Sequence, residues 1–313
     1  MAASYNVINY SLRPAKHIER KMIAEYLNRL TVFGKLSSYR YIGFGSLYFT
    51  DFILFHRSMG FTDMLSIEQD TSSKSRFEFN RPFKCVKLDF RHSSEVLAEL
   101  AWTKKTIIWL DYDGQLNKGC LSDIAEFFSK ATTGSVFMIS INAEFNKSSI
   151  DAFKNFEEAI GKENMPIGVT VKDMRGAGAG KVLRKIIINQ IEKTLSARNG
   201  VLLPQHKMNF AQMLNFQYAD GARMLTIGGV IWKNSQAAIL QNNPWDDLSF
   251  IRKSDEPYVI DAPCLTLKEI RYLEAHLPIG TEKTKREPLV PKEINEKYAK
   301  VYRYYPMYTA AEI

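Results

Sequence analysis

Three acidic residues each follow a short β-prone segment and could bind one ligand together. Glu68 ends the segment Leu-Ser-Ile-Glu, Asp89 follows Val-Lys-Leu, and Asp111 follows Ile-Ile-Trp-Leu. The carboxyl ends of parallel strands meet at one edge of a sheet, which is where ligands bind in open α/β folds. A carboxylate at Glu68 could accept hydrogen bonds from both hydroxyls of a ribose. Each acid alone could simply cap the next helix, but the joint pattern favours a ligand site.

A glycine-containing turn precedes the first of these acids. Gly43, Phe44, Gly45 and Ser46 follow an apolar segment. Glycines lack a Cβ atom and therefore let the backbone approach a ligand closely. The dinucleotide fingerprint Gly-x-Gly-x-x-Gly is incomplete, because Tyr48 stands at its third glycine. The turn therefore argues against a standard dinucleotide site.

A pair of acids lies in the segment Trp-Leu-Asp-Tyr-Asp-Gly. Asp111 and Asp113 are two residues apart, so in extended backbone their side chains point to the same side. Either carboxylate could take a proton from a hydroxyl group as a general base. Asp111 and Asp113 are therefore candidate catalytic residues.

The elements that must position these residues alternate along the chain. Hydrophobic patterning predicts strands at residues 40–45, 64–67, 85–88, 106–110 and 135–141. It predicts helices at residues 17–33, 51–59, 73–79, 93–102, 122–130, 149–160 and 181–197. Five strands that alternate with helices indicate a parallel sheet with helices on both faces.

The sheet is expected to end differently from the way it begins. Residues 210–218 and 222–232 are two further β-prone runs, and Asp220-Gly221 between them suits a tight hairpin. We therefore predict an α/β fold with a mostly parallel sheet and an antiparallel hairpin near its end. The antiparallel hairpin makes this prediction more specific than a doubly wound parallel sheet.

The chain is predicted to have three parts. Residues 1–35 form an N-terminal cap segment and helix, and residues 36–233 form the main domain. Residues 234–313 are a helical and irregular C-terminal extension, with one helix at residues 266–276 and a basic linker up to Lys292.

A second glycine-rich stretch, residues 176–180, precedes Lys181. The phosphate-loop pattern fails there, because Arg175 stands at its first glycine and Val182 at its Ser or Thr. We expect a flexible loop that ends at a helix N-terminus and that could bind a substrate phosphate through Arg175 and Lys181.

Composition limits the function classes. The chain has 313 residues, 45% of them hydrophobic and 24% charged, as in ordinary globular proteins. Three widely spaced cysteines support neither a disulfide framework nor a zinc site. The net charge of +8 favours an anionic partner such as nucleic acid. One basic cluster surrounds the first helix, although such clusters are more often solvated helix faces: Arg13, Lys16, Arg20 and Lys21.

Membrane insertion is not expected. The longest apolar runs are far shorter than the ~18 residues of a spanning helix. The first thirty residues carry charges throughout and show no secretory signal. These features predict a cytoplasmic location.

The acids and the glycine turn together resemble the class I S-adenosylmethionine-dependent methyltransferases over residues 36–233. In that family the glycine turn passes under the methionine moiety of the cofactor. An acid after the second strand holds the ribose, and an acid after the third contacts the adenine amine. The resemblance implies a Rossmann-like fold, with the hairpin as the last two strands, and S-adenosylmethionine as cofactor.

The resemblance implies cofactor-binding roles for six residues: Gly43, Phe44, Gly45, Ser46, Glu68 and Asp89. One feature departs from the family pattern. The family usually carries an acid just ahead of its first glycine, whereas Arg40-Tyr41-Ile42 precedes Gly43 here. The amino group of the cofactor is thereby left without its usual partner.

Two longer segments are similar to a group of bacterial proteins described as O-methyltransferases. They are Tyr-Ile-Gly-Phe-Gly-Ser-Leu-Tyr-Phe-Thr-Asp-Phe and Trp-Leu-Asp-Tyr-Asp-Gly. The reacting group in this fold lies near the end of the fourth strand, so the resemblance implies catalytic roles for Asp111 and Asp113. The Asp/Asn-Pro-Pro-aromatic motif of adenine and cytosine amino-methyltransferases is absent. A DNA amine is therefore a poor candidate for the acceptor.

A metal site is the less favoured interpretation of a third group of polar residues. Asn142 and Glu144, with Asp111 or Asp113, are similar to the oxygen ligands of divalent-metal-dependent O-methyltransferases. Mg²⁺ would suit such ligands. We favour the alternative that Asn142 and Glu144 only solvate a loop, because a metal site needs distances that spacing does not fix.

Three functions remain open at the level of sequence. The favoured one is an S-adenosylmethionine-dependent methyltransferase acting on oxygen, with an unidentified acceptor. The second is a catalytically inactive methyltransferase-like scaffold that binds nucleic acid or another anionic partner, consistent with the missing acid before Gly43. The third, a nucleotide-dependent enzyme, fits the short glycine motif least well. Nothing in the sequence indicates the oligomeric state.

Overall fold

The computed structural model describes residues 9, 12–145, 150–242, 245–278 and 289–307. Its strands are β1 (Arg40–Gly43), β2 (Asp63–Ile67), β3 (Val86–Asp89), β4 (Thr106–Asp111), β5 (Val136–Asn142), β6 (Met208–Asp220), β7 (Ala222–Lys233) and β8 (Tyr258–Ile260). Its α-helices are α1 (Pro14–Asn28), α2 (Thr50–Met59), α3 (Lys74–Asn80), α4 (Ser93–Glu99), α5 (Lys118–Lys130), α6 (Ile150–Ile160), α7 (Ala177–Asn199), α8 (Ala237–Gln241), α9 (Leu267–Glu274) and α10 (Lys292–Val301).

One sheet organises the fold. Over the described residues its eight strands lie in the order β3-β2-β1-β4-β5-β7-β6-β8. Strands β1 to β5 are parallel, whereas β7 is antiparallel to both β5 and β6. The predicted fold class is confirmed. Strand β1 lies between β2 and β4, and the strand order reverses there, which is where open α/β sheets bind ligands.

Helices cover both faces of the sheet. Residues such as Ile18 of α1 and Phe52 of α2 pack in one hydrophobic cluster with Trp109. Ile124 of α5 and Ile187 of α7 belong to a second cluster on the opposite face. Each helix buries one apolar stripe against the sheet, as the three-layer architecture requires. No helix within the described ranges is both long and apolar enough to cross a membrane.

The C-terminal extension contributes more structure than expected. Strand β8 pairs in parallel with β6 and lies at the edge of the sheet. Helix α9 confirms the predicted helix, and its N-cap Thr266 forms a capping box with Glu269. Helix α10 begins at Lys292, where the predicted basic linker ends, and most of that linker lies outside the described residues. The indole of Trp245 donates a hydrogen bond to the backbone oxygen of Tyr26 at 3.1 Å, which ties the extension to α1.

The glycine-rich stretch before Lys181 is helical, so the prediction of a flexible loop is wrong. Helix α7 begins at Ala177 and includes most of these glycines. A Cβ atom at Gly180 would lie 2.0 Å from the side-chain nitrogen of Gln217. This glycine therefore allows α7 to pack closely on β6. Lys181 forms an ion pair with Glu256.

Helix α4 begins at Ser93 as predicted, whereas α5 begins four residues earlier than predicted. The N-cap of α4 is His92, whose side chain accepts from the N–H of Ser94, so Ser93 is the first helical residue. Helix α5 begins at Lys118 because Asn117 caps it by accepting from the N–H of Cys120. Both helices consequently begin at the ligand-binding edge of the sheet.

Candidate active site

A cavity of about 500 Å³ opens at the carboxyl edge of β1, β2 and β4. Six of the eight predicted site residues line it: Phe44, Gly45, Ser46, Glu68, Asp111 and Asp113. Gly43 and Asp89 are absent from its described lining. The structure thus brings the glycine turn together with acids from β2 and β4, at the reversal of strand order.

The glycine turn is tied directly to Glu68. The backbone N–H of Gly45 donates to Oε1 of Glu68 at 3.0 Å and to the hydroxyl of Ser66 at 2.9 Å. Two non-glycine residues, Ser46 and Phe49, have left-handed backbone angles, with φ of 48° and 46°. Such strained conformations persist where the surrounding structure fixes them, and they are common at functional sites.

The two glycines of the turn are required by packing within the protein. A Cβ atom at Gly45 would lie 2.5 Å from the ring of Phe49 and 2.7 Å from the hydroxyl of Ser66. A Cβ atom at Gly43 would lie 2.8 Å from the hydroxyl of Tyr41. Neither glycine has a positive φ. The sequence suggested that these positions are glycine because the backbone approaches a ligand closely. Packing within the protein is a second reason for glycine at both positions.

Glu68 is a buried carboxyl group in the cavity wall. Its exposed fraction is 8%, and burial raises its pKa to about 7. Hydrogen bonds from Ser66, at 2.7 Å, and from the N–H of Gly45 oppose this rise. Glu68 can therefore change its protonation state near neutral pH when a ligand donates to it.

The side chain of Asp89 is bound by Arg91, a residue of its own loop. The guanidinium of Arg91 binds both its carboxylate oxygens, at 2.8 and 2.9 Å, and also contacts Glu99 at 2.7 Å. These hydrogen bonds from Arg91 lower the pKa of Asp89. The predicted contact between Asp89 and an adenine amine remains a prediction.

Asp111 forms an ion pair with a buried lysine of the first helix. The ammonium of Lys16 lies 2.7 Å from Oδ1 of Asp111 and 2.8 Å from Oε2 of Glu19. The hydroxyl of Tyr218 accepts from the same ammonium at 3.0 Å. Lys16 and Glu19 have exposed fractions of 2% and 0%. Asp111 therefore presents a charge-paired carboxylate to the cavity.

Asp113 lies at the exposed rim of the cavity, two residues beyond Asp111. The intervening Tyr112 packs edge-on against Phe44, with ring centroids 5.1 Å apart, and donates a hydrogen bond to the buried Asp123. The hydroxyl of Ser93 donates to the same carboxylate at 2.5 Å. Asp111 and Asp113 both line the cavity, as their spacing predicts.

Sequence reasoning missed two buried charged residues of the cavity, Arg20 and Asp51. Their exposed fractions are 6% and 8%. Arg20 lies four residues after Lys16 on α1, so helical spacing puts both on one face. Asp51 lies in the first turn of α2, directly after the glycine turn. That sequence proximity is the signal that could have identified Asp51.

A family profile described as "Putative O-methyltransferase" matches residues 8–313. The chain belongs to this family. This membership confirms the enzyme class predicted from the sequence, a methyltransferase, and it gives no support to the inactive scaffold. No curated protein matches the chain.

Solved structures are similar to parts of this chain at low sequence identity. Trm1 from Pyrococcus horikoshii in complex with S-adenosyl-L-methionine is 11% identical, with a TM-score of 0.46 over 70% of this chain and 56% of that one. The N-methyltransferase NodS from Bradyrhizobium japonicum WM9 in complex with S-adenosyl-L-homocysteine is 8% identical, with a TM-score of 0.39 over 68% and 87%. An O-methyltransferase family protein from Burkholderia thailandensis is 9% identical, with a TM-score of 0.34 over 67% and 55%. The chain therefore covers little more than half the length of the first and third of these proteins.

In this O-methyltransferase family member, Asn142 and Glu144 make local contacts. Oδ1 of Asn142 accepts from the N–H of Glu144 at 2.8 Å, and Oε2 of Glu144 accepts from the N–H of Arg223 at 3.1 Å. No group of three His, Cys, Asp or Glu residues in the described part of the chain is arranged to hold a metal ion. Both side chains therefore accept hydrogen bonds from backbone N–H groups, and the interpretation that they only solvate a loop stays a prediction.

The basic cluster around the first helix is largely internal. Lys16 and Arg20 are buried, which contradicts the expectation of a solvated helix face for these two residues. Arg13 lies 3.9 Å from Asp220, whose carboxylate also accepts from the N–H groups of Ala15 and Lys16 at 3.0 and 2.8 Å. The hairpin turn thus caps α1 and fixes its buried charges at the cavity.

Proposed function

We propose that this chain transfers a methyl group from S-adenosylmethionine to an oxygen atom of an acceptor. The observation that carries the proposal is the contact between the glycine turn and the buried Glu68 in the cavity wall. The cavity volume falls within the range of about 300–1,000 Å³ that is common for small-molecule sites. The family membership supports the same chemistry.

Glu68 is the residue we assign to the cofactor's ribose. Its Oε1 atom is already fixed by Gly45 and Ser66, so the carboxylate has one defined orientation. A carboxylate has about four lone-pair sites, which leaves capacity for hydroxyl donors from a ligand. Ser46, whose backbone is left-handed, lines the same cavity as Glu68.

S-adenosylmethionine supplies an electrophilic methyl group on a sulfonium sulfur. The chain must hold the acceptor oxygen in line with that methyl group. It must also take up the proton that the acceptor oxygen loses. We assign the proton to Asp113, because it lines the cavity and remains exposed at the rim where an acceptor can enter. Asp111, which forms an ion pair with Lys16, lines the same cavity.

Calorimetry with S-adenosylhomocysteine tests the cofactor assignment. Glu68→Gln keeps the shape of the side chain but removes its negative charge, so the hydrogen bonds from the ribose hydroxyls are no longer charge-assisted. We therefore expect about 10–100-fold weaker binding. The control is Glu95→Gln, an exposed residue of α4 outside the cavity lining. Equal affinity of wild type and Glu68→Gln would contradict the assignment. A parallel thermal-shift comparison with NAD and ATP tests the nucleotide-dependent alternative.

The oxygen linkage needs its own measurement. Wild-type protein incubated with methyl-labelled S-adenosylmethionine and fractions of a cell lysate should yield a labelled product. Nuclear magnetic resonance of that product distinguishes methyl groups bound to oxygen, nitrogen and carbon. A methyl–nitrogen or methyl–carbon product would overturn the oxygen assignment while leaving the methyltransferase class intact.

A further inference from the structure

An exposed basic surface surrounds α3 and the edge strand β3. Residues 74–91 contain six lysine and arginine residues and two acids, a net charge of +4, whereas the whole chain has +8. Half of the net charge is therefore concentrated in this segment, which we call the β3 surface. All six basic side chains are exposed: Lys74, Arg76, Arg81, Lys84, Lys87 and Arg91.

Several of these positive charges are not neutralised by a neighbouring acid. Arg91 forms ion pairs with two acids. Arg81, Lys84 and Lys87, in contrast, form no ion pair with any carboxylate in the described part of the chain. Like charges held close together on a surface attract an anionic partner. The β3 surface therefore suits a partner that carries several negative charges.

Protection of the sheet edge accounts for only part of this charge. Strand β3 is the first strand of the sheet and pairs only with β2 in the described residues. A lysine on an edge strand discourages pairing with another sheet, which is a sufficient reason for Lys87. Arg81 and Lys84 precede the strand, so this reason does not extend to them.

The β3 surface also presents an aromatic ring to solvent. Phe79 of α3 has an exposed fraction of 87%. Phe77, two residues earlier, is buried and packs edge-on against Phe90, with ring centroids 5.9 Å apart. Phe77 thus anchors α3 to the body of the protein and leaves Phe79 available for contact with a partner.

An exposed ring among basic side chains is the combination that binds single-stranded nucleic acids. The cations contact the phosphates, and a base stacks on the ring whatever its sequence. A partner with negative charges alone would have no use for Phe79. The β3 surface therefore favours a partner that has both phosphates and planar bases.

The β3 surface borders the active-site cavity. Phe77 of α3 and His92, directly after Arg91, both line the cavity. The exposed residues of α3 and of the loop before α4 are therefore neighbours of cavity-lining residues along the chain. A nucleic acid bound on the β3 surface consequently lies beside the site of the proposed methyl transfer.

From these observations we infer that the β3 surface binds single-stranded RNA. Arg81, Lys84 and Lys87 contact its phosphates, and one base stacks on Phe79. RNA is preferred to DNA because its 2′-hydroxyl groups are oxygen atoms of the kind that the proposed reaction methylates. The inference rests on the proposed function in this choice alone, since the contacts themselves need no cofactor.

Fluorescence anisotropy with labelled oligouridine tests the inference directly. An oligomer of about 20 nucleotides exceeds the roughly 4–16 nucleotides of a typical single-strand site. We expect wild type to bind it in the absence of cofactor. Binding should weaken by about 20–50-fold between about 50 and 200 mM salt, as three or four phosphate contacts require.

A pair of charge reversals should locate the phosphate contacts. Lys84→Glu combined with Lys87→Glu should weaken binding by at least about tenfold and reduce its salt dependence. The matched control combines Lys185→Glu with Lys193→Glu, two exposed residues of α7, which packs against β6 and β7. It changes the net charge by the same amount and should weaken binding by less than about threefold, because salt screens distant charges.

Substitutions of Phe79 test the stacking contact. Phe79→Leu keeps an apolar side chain but removes the ring, so oligouridine should bind at least about fivefold more weakly. Phe79→Tyr keeps an aromatic ring and should bind within about twofold of wild type. An equal affinity of wild type and Phe79→Leu would contradict the stacking contact.

Four results would overturn the inference. The first is that wild type does not bind oligouridine at the lower salt concentration. The second is an equal loss of affinity in the two charge-reversal variants, which would show unspecific attraction to the whole protein. Tighter binding of oligothymidine than of oligouridine would identify DNA as the partner. Binding of vesicles that contain phosphatidylserine, without binding of oligouridine, would identify a membrane surface.

Calorimetry with S-adenosylhomocysteine separates this inference from the proposed function. Phe79, Lys84 and Lys87 are outside the described cavity lining, so their variants should bind this ligand and unfold as wild type does. Wild type that binds S-adenosylhomocysteine but not oligouridine would overturn the RNA surface alone. Wild type that binds oligouridine but not S-adenosylhomocysteine would overturn the cofactor assignment and leave the RNA surface in place.

Discussion

The ammonium of Lys16 lies 2.7 Å from Oδ1 of Asp111, which joins the first helix to the carboxyl end of β4. Lys16 also lies over the ring of Trp109, 4.5 Å from its centroid. Packing of Lys16 on this ring therefore helps to hold the ion pair in place. Arg20 of the same helix lines the cavity, so the N-terminal helix forms part of the wall of the candidate active site. The carboxylate of Asp111 has a fixed orientation, whereas Asp113 lies at the open rim.

Lys16→Met should destabilise the protein strongly. The substitution leaves Glu19 buried without its cation, and removing one partner of a buried ion pair costs about 3–5 kcal/mol. Urea unfolding of wild type and variant measures this cost. Lys21→Met, on the same helix but only partly buried, is the control and should have a much smaller effect. Adding Glu19→Gln to Lys16→Met should recover part of the lost stability; a Lys16→Met effect no larger than that of Lys21→Met would contradict this account.

Cofactor binding should strengthen as the pH rises towards neutrality. The pKa of Glu68 is about 7 in the free protein, and ribose hydroxyls donate to its ionised form. Below pH 7 the group must release a proton on binding, so affinity at pH 6 should be about tenfold lower than at pH 8. Calorimetry with S-adenosylhomocysteine in buffers of different ionisation enthalpy measures both the affinity and the proton release.

The same experiment on Glu68→Gln provides the control for this pH dependence. Asp51 also has a raised pKa and lies close enough to Glu68 to influence it, so it could titrate on binding as well. Only the part of the pH dependence that disappears in Glu68→Gln belongs to Glu68. An unchanged pH profile in this variant would show that another group carries the effect.

Gly45→Ala should lower stability, whereas Gly114→Ala should not. The new Cβ at Gly45 would lie 2.5 Å from the ring of the fully buried Phe49, and overpacking of this kind costs about 1–3 kcal/mol. Gly114 also lines the cavity, but a Cβ there meets no atom within 4 Å. Thermal unfolding without ligand compares the two variants. Equal midpoints would mean that the turn adapts and that packing does not require glycine.

The parts of the site that could be predicted from sequence depend on strand periodicity. Glu68 and Asp111 each follow an apolar β-prone run, and parallel strands bring such ends to one edge. The hairpin could be predicted because Asp220-Gly221 separates two such runs, and Gly221 has a φ of 107°. In these places local sequence and tertiary structure favour the same conformation.

The missed parts depend on contacts between distant segments. Arg20 reaches the cavity only because α1 packs across β6, and the only sequence signal for its place is its spacing from Lys16. Asp89 ends a strand as predicted, but Arg91 binds its carboxylate outside the described cavity lining. Strand β8 has three residues, which is too short for a periodic pattern to identify it.

Transfer of a radiolabelled methyl group from S-adenosylmethionine into lysate fractions, by wild type and Asp113→Asn, tests the central claim most directly. We expect incorporation by wild type and about 10²–10⁴-fold less by Asp113→Asn, with affinity for S-adenosylhomocysteine nearly unchanged. Glu95→Gln, which is exposed and outside the cavity lining, should match wild type. Equal incorporation by wild type and Asp113→Asn would remove Asp113 from the reaction. Incorporation by neither protein, across all lysate fractions, would contradict the claim that this chain is a methyltransferase acting through the acids of this cavity.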